Sequence, residues 1–523
     1  MNYLMFLTLI VPPERTRFYQ LPGIDHWSGL YHLNGFDIFI LAPYLTILFI
    51  LAVYGVHRYH LVYLYLKNKD KVSVPKGTFA IKPKVTIQLP IFNEVYVVER
   101  LVEAVCKIRY PRELLEIQVL DDSTDGTKEI AAACVEKHRE LGFNVTHIYR
   151  TNRSGFKAGA LENGLKLASG EYIAIFDADF IPAENFLEDV VDYFTDSEVG
   201  MVQVRWGHIN REYSLLTQIE SVILDGHFII EHAGRHLSGR FFNFNGTAGI
   251  WRREAIETAG GWQHDTLTED TDLSYRAQLI GWRFLYLPHI VCPAELPVEM
   301  NSFKTQQSRW AKGLIQTAIK LLPRILKSDL PLKIKIEAFF HLTANIAYPL
   351  MIALSVLMLP AMIIRFNQGW FQMLYIDLPL WLASTASVSM FYLVSQRELY
   401  PDWRTRLRFL PFLMSVGIGL SVSNSKAVME ALLGIKSSFK RTPKYRIESK
   451  KDRWVSKGYL GRTGILPLLE LALGLYFSLV VFYAFNNESY PTIPFLMLFV
   501  VGFTYMGLMS ILHVTFSRWL KGQ

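Results

Sequence analysis

The chain has 523 residues, of which 51% are hydrophobic and only 19% charged, whereas a soluble domain usually carries about 25% charged residues. Its net charge of +7 comes without a zinc-finger, RRM or helix-turn-helix pattern, and its Lys and Arg clusters flank apolar segments. That excludes a nucleic-acid partner and favours contact with membrane lipid. Cys106, Cys134 and Cys292 lack metal-ligand spacing and cannot close a disulfide set, so each is expected to be a small core residue in a reducing compartment.

The first apolar run, residues 1–11, has no basic flank and reads as an interfacial element rather than a signal peptide. Residues 36–56 are long enough to span a bilayer. Arg58, Lys67, Lys69 and Lys71 follow, and their positive charge places the next segment on the cytoplasmic side. Residues 1–82 therefore form a membrane-entry unit.

From 83 to 323 the pattern changes. Short β-rich runs at 85–89, 117–120, 172–176 and 200–205 alternate with helical segments, which predicts βαβ units around a mixed, mostly parallel sheet. Acidic pairs close several strands, where open α/β sheets bind ligands. Asp121-Asp122 suits ribose hydroxyls or a base, though taken alone an Asx turn leading into a helix capped by Asp125 or Thr127 explains it better. Gly155-Phe156-Lys157-Ala158-Gly159 offers a small-residue turn with Lys157 free to meet a phosphate. Asp177-Ala178-Asp179 puts two carboxylates on one side of an extended segment, hard-oxygen ligands that suit Mg²⁺ or Mn²⁺.

Thr268-Glu269-Asp270 opens a helical pattern, where acidic residues also suit the helix dipole. The functional reading makes Asp270, with Glu269 beside it, a general base for an acceptor hydroxyl; spacing alone does not exclude Asp272. In Gln306-Gln307-Ser308-Arg309-Trp310, Gln306 and Trp310 share a helix face. Trp310 can stack on a sugar, and Arg309 can neutralise a diphosphate leaving group. Interfacial anchoring is the alternative for this aromatic and basic pair.

Residues 324–523 return to membrane character, with spans expected at 338–364, 370–394, 463–485 and 491–513. The segment 407–433 is apolar but interrupted by Ser421, Ser423, Asn424, Ser425 and Lys426, and basic loops flank it. Two cytoplasmic flanks require an interfacial or re-entrant helix, giving five spans, with six as the alternative. The second basic loop, residues 436–462, contains Phe439-Lys440-Arg441-Thr442-Pro443-Lys444.

In this order, Asp121-Asp122, Asp177-x-Asp179, Thr268-Glu269-Asp270 and Gln306-x-x-Arg309-Trp310 resemble the processive family 2 glycosyltransferases, the cellulose synthases and cellulose-synthase-like glucan and mannan synthases. The resemblance covers roughly residues 85–444. It implies an α/β GT-A domain between transmembrane helices and a UDP-glucose or GDP-mannose donor. It also implies a growing polysaccharide as acceptor; a departure from the family pattern is that no PilZ-type regulatory domain is expected after the last span. By the same resemblance, Pro90, Asn93, Asp121 and Asp122 hold the nucleoside, and Asp177 and Asp179 meet the metal-diphosphate. Lys157, Gln306 and Arg309 support the donor, and Asp270 is the base. Trp310 and Asn245-Gly246-Thr247 line the acceptor pocket, while Phe439-x-x-Thr442-x-Lys444 resembles a gating loop over the donor. Two other readings are a non-processive enzyme glycosylating ceramide or diacylglycerol, and a sugar transporter with a degenerate catalytic domain. The second predicts loss of Asp270 or of the Asp177/Asp179 pair, and all three are present.

Overall fold

A computed structural model describes residues 33–367, 379–436, 441–455, 457 and 464–521. The apolar run at 1–11 and the first part of the loop motif, Phe439 and Lys440, lie outside them.

The catalytic region is built on a seven-stranded sheet, order β3-β2-β1-β4-β6-β5-β7. Its strands are β1 (Val85–Ile91), β2 (Leu115–Asp121), β3 (Val145–Tyr149), β4 (Tyr172–Ile175), β5 (Val199–His208), β6 (Gly249–Arg252) and β7 (Arg283–Ala294). β1 to β4 run parallel, and β6 pairs antiparallel with both β4 and β5. β1 and β4 are almost wholly buried, because helices cover both faces of a central parallel strand and leave no solvent side for polar residues. The chain winds from β1 out to β3 and then returns to the other side of β1 as β4. That reversal opens a crevice at the carboxyl ends of β1 and β4, and the acidic motifs fall there. The sequence pattern located β1, β2, β4 and β5; β3, β6 and β7 complete the sheet.

Seven helices position the site or tie it to the membrane region. α1 (Gly35–Asn68) precedes the sheet, and α2 (Phe156–Leu167) follows β3. α3 (Leu215–Gly226) follows β5, α4 (Glu269–Leu279) carries the third acidic motif, and α5 (Met300–Lys327) carries Gln306, Arg309 and Trp310. α6 (Leu332–Thr343) leads into α7 (Ala347–Asn367). Because α5 runs unbroken to Lys327, the expected boundary at 323 falls inside a helix.

Among the described residues four helical stretches are long and apolar enough to cross a bilayer: Gly35–Asn68, Leu332–Arg365, Leu466–Asn486 and Tyr490–Phe516. They mark a membrane protein. Leu41, Leu354, Phe477 and Phe499 share one core among them. The segment read as interfacial or re-entrant forms two helices, Trp403–Gly419 and Ser421–Leu432 (α8), bent by 40°. The expected span at 370–394 begins outside the described residues; its described part is a π-helical turn, Leu382–Ala386, followed by the helix Ser387–Leu399. The last two spans are α9 (Leu466–Asn486) and the stretch Tyr490–Phe516, most of which lies in α10 (Ile493–Lys521). Gly419 and Gly502 meet backbone to backbone, and a Cβ on either would strike the other chain segment. Small residues let membrane helices approach this closely.

Candidate active site

The motifs converge on one cleft at the carboxyl ends of the strands, with roughly 1250 Å³ of unfilled space including its open mouth. Pro90, Ile91 and Phe92 bring β1 to its wall, and Asp122 brings β2. Arg150 grips Asp122 through two hydrogen bonds of 2.7 and 2.5 Å, a planar fork-to-carboxylate pair that fixes its orientation. Arg153 lies 3.3 Å over the Phe92 ring and also lines the cleft.

Two expected donor residues stand behind the wall. Asp121 is fully buried, pairs with His147 at 2.9 Å and accepts from the Ser123 N–H. Burial alone would raise it, but the His147 and Ser123 hydrogen bonds hold it below its ordinary value. Asn93 adopts φ 56° and bonds to the Ser123 hydroxyl and the Thr124 N–H. Both residues brace the turn that presents Asp122, and neither lines the cleft.

The centre of the cleft is an ion network. The turn at Gly155 (φ 72°) and Phe156 (φ 50°) starts α2 and delivers Lys157. Its ammonium reaches Asp177 at 2.5 Å and the Gly246 carbonyl at 2.9 Å. Burial would depress Lys157, but Asp177, Glu269 and Asp270 together hold it above its ordinary value. Asp177 is raised by burial against the pull of Lys157. The Thr247 hydroxyl accepts from the Asp177 N–H at 2.8 Å, so Thr247 supports the acidic turn from outside the cleft wall. Asp179 pairs with Lys444 at 2.7 Å.

Asp177 and Asp179 present hard oxygens to the cleft from one turn. No third metal-ligating side chain joins them among the described residues. Mg²⁺ takes such sites through one or two carboxylates plus substrate phosphates, so this pair fits Mg²⁺ or Mn²⁺ held jointly with a diphosphate.

Glu269 and Asp270 open α4 at the cleft's far side. Burial first, then the neighbouring Glu269, pushes the Asp270 carboxyl up to about 7, against the pull of Lys157 and the Thr271 N–H. Burial raises Glu269 as well, against Lys157 and Arg309. Gly246, at φ 82°, faces this pair, and a Cβ there would come within 2.9 Å of the Asp270 Oδ2. Asp270 and Asp272 differ in their surroundings. Asp272 is buried, tied to Arg276 at 2.8 Å and Lys320 at 2.9 Å, and does not line the cleft.

Gln306, Arg309 and Trp310 line the cleft from α5. Gly313, one turn further on, seats α5 against Thr268, where a Cβ would come within 2.5 Å of its Cγ2. From the basic loop, Arg441 pairs with Glu94 at 2.9 Å, and Thr442 and Lys444 enter the cleft. Asn245 lines the cleft too, with its Nδ2 2.9 Å from His227 Nε2. Glu94, Glu220, Glu295, Arg150 and Arg153 were not singled out from sequence. Only the spacing of Arg150 and Arg153 around the glycine turn offered a signal; the three glutamates are single acids in otherwise unremarkable stretches.

Residues 86–259 match the family described as glycosyl transferase family 2. The chain is 40% identical over 299 residues to glucomannan 4-beta-mannosyltransferase 1 of Oryza sativa subsp. japonica, a match spanning 55% of this chain and 57% of that relative's length. With glucomannan 4-beta-mannosyltransferase 7 of Arabidopsis thaliana it shares 32% identity over 456 residues, 81% of this chain and 77% of that relative. Among solved structures, a mannosyltransferase from Pyrobaculum calidifontis in complex with GDP-Man and Mn²⁺ superposes with a TM-score of 0.51 at 22% identity. It covers 75% of this chain and 100% of its own, and it shows the fold alone.

Proposed function

The chain belongs to the cellulose-synthase-like glycosyltransferases of family 2, and from that we propose that it polymerises a β-linked glycan of mannan or glucan type from a nucleotide-sugar. The observation that carries this reading is the meeting in one cleft of Asp177, Asp270 and the Gln306–Arg309–Trp310 face of a helix docked on membrane segments. The names of the relatives and of the structural neighbour favour GDP-mannose over UDP-glucose as donor.

In this mechanism Asp270 takes the proton of an acceptor hydroxyl. That oxygen attacks the anomeric carbon as the bond to the diphosphate breaks, with inversion. Lys157 and Arg309 offset the charge that develops on the leaving diphosphate. Asp177 and Asp179 would hold Mg²⁺ or Mn²⁺, whose contribution is to neutralise and orient the diphosphate. Trp310 offers a ring on which the acceptor sugar stacks. The acidic and basic groups of the cleft lie on the cytoplasmic side, given the basic residues that follow the first span. The polymer then leaves between the spans.

Purified protein given GDP-mannose or UDP-glucose with Mn²⁺ or Mg²⁺ should yield high-molecular-weight, glycosidase-sensitive product from one donor, with linkage analysis defining the bond. Organic-extractable glycolipid as the sole product would sink polymerisation and leave sugar transfer standing.

A further inference from the structure

One wall of the cleft carries none of the acidic or Gln-Arg-Trp motifs. It is made by the end of β5, with Trp206 and His208, and by Glu220 and Leu224 on α3. The two elements are tied by His208 Nε2, 3.0 Å from Asp225 Oδ1. The other Asp225 oxygen accepts from Gln396 and Tyr400, each at 3.1 Å, so this wall is anchored to the segment around the helix Ser387–Leu399.

Glu220 is fully buried, yet among the described residues neither of its carboxyl oxygens has a hydrogen-bond partner. Trp206 Nε1 and His208 Nδ1 are buried and unpartnered too. Native interiors hold few such atoms, and here four belong to three residues of one wall. Their chemistry is specific. With a neutral ring that gives its Nε2 proton to Asp225, the Nδ1 of His208 is an acceptor. Trp206 Nε1–H can only donate. Burial, opposed by Lys444 and reinforced by Asp179, pushes Glu220 up to about 8, and in its protonated form the carboxyl offers one donor and one acceptor. Two donors and two acceptors beside an indole suit hydroxyl groups, each of which both gives and takes a hydrogen bond. An anion or a cation would leave half of them unmatched.

We propose that Trp206, His208 and Glu220 form a hexose-hydroxyl subsite, separate from the Trp310 ring, that binds one sugar of the donor or of the acceptor chain. The proposal rests on the glycosyl-transfer reading above.

The test uses the full chain in lipid nanodiscs, with Glu220→Leu, Glu220→Gln and Trp206→Phe. Calorimetry with GDP and Mn²⁺ should give wild-type affinity in all three. Loss of one hydroxyl contact corresponds to about tenfold, so Glu220→Leu should weaken a sugar-dependent constant by at least that factor, and Glu220→Gln should recover most of it. A raised KM for the nucleotide-sugar with unchanged binding of free mannan or glucan oligosaccharides identifies the donor hexose. Weakened oligosaccharide binding with unchanged donor KM identifies the acceptor. Unchanged constants for both sugars in folded Glu220→Leu and Trp206→Phe overturn the subsite. Should Glu220→Leu fail to fold, Trp206→Phe decides alone, since it deletes one donor and keeps the aromatic bulk. Oligosaccharide binding is read without turnover. A wild-type protein that transfers no hexose but loses oligosaccharide binding in the variants would therefore refute the transfer reading and keep the subsite.

Discussion

As the proposed base, Asp270 meets two demands that pull against each other: it is buried enough to face a sugar, and it must be ionised to take a proton. Burial and Glu269 place its carboxyl near 7. The competent form is the carboxylate and its pKa is raised, so turnover should fall as pH drops through about 7. Glu269→Gln removes a negative neighbour and should move that acid limb to lower pH in a pH–kcat profile; an unmoved limb would separate the limb from this pair. Replacing Asp270 with Asn should cut turnover by about 10²–10⁴-fold, the usual worth of a general base, while nucleotide binding measured by calorimetry stays near wild type. These residues were legible in sequence because each lies at an element's end in a short motif. The choice of Asp270 over Asp272 was not, because both sit in the first turn of α4, and what claims Asp272 is Arg276 one turn on together with Lys320, which is distant in sequence. Glu94 and Glu220 were hidden for a related reason: an isolated acid acquires meaning only from what folding places around it.

At the scale of elements, α5 is the decisive piece. Read from sequence it was a five-residue motif; in the fold it is a 28-residue helix that works on two faces. Gln306, Arg309 and Trp310 turn to the cleft. Lys304, Ser308 and Lys312, one turn apart, turn to the membrane helices. Lys304 pairs with Glu470 of α9 at 2.5 Å, Ser308 donates to Asn424 of α8 at 3.1 Å, and Lys312 pairs with Glu430 of α8 at 2.8 Å. Lys304 and Glu470 are both buried. Lys304→Met should therefore destabilise the protein by about 3–5 kcal/mol, the usual cost of stranding one buried charge. The double variant Lys304→Met/Glu470→Met should recover most of that, as read by thermal unfolding in detergent. Gly313→Ala forces α5 away from Thr268. An overpacking cost of about 1–3 kcal/mol and a loss of up to about 10²-fold in turnover, the effect of a displacement near 1 Å, are expected; wild-type activity would show that the contact relaxes freely. The stripe at 304, 308 and 312 was unreadable in sequence because its partners lie more than a hundred residues away.

For the whole molecule, the spans read from hydropathy at 36–56, 338–364, 463–485 and 491–513 overlap the apolar helical stretches Gly35–Asn68, Leu332–Arg365, Leu466–Asn486 and Tyr490–Phe516, since length and apolarity suffice for that inference. It could not resolve the bend between Gly419 and Ser421, which depends on contacts with other segments. Cys106, Cys134 and Cys292 are all buried. Burial pushes the Cys106 and Cys134 thiols up to about 12 and about 11. A maleimide should leave the folded chain unlabelled and modify all three thiols in denaturant; labelling before unfolding would mean that the catalytic core opens on its own. The two-faced α5 has a mechanical consequence for a chain that grows by polymerisation. In the proposed polymerisation, a helix fixed to the membrane region at three successive turns is a stator: the Trp310 ring keeps its distance from the exit. Advancing the product by one unit must then be the work of parts that are not bolted down, and the polymer slides over a stationary die.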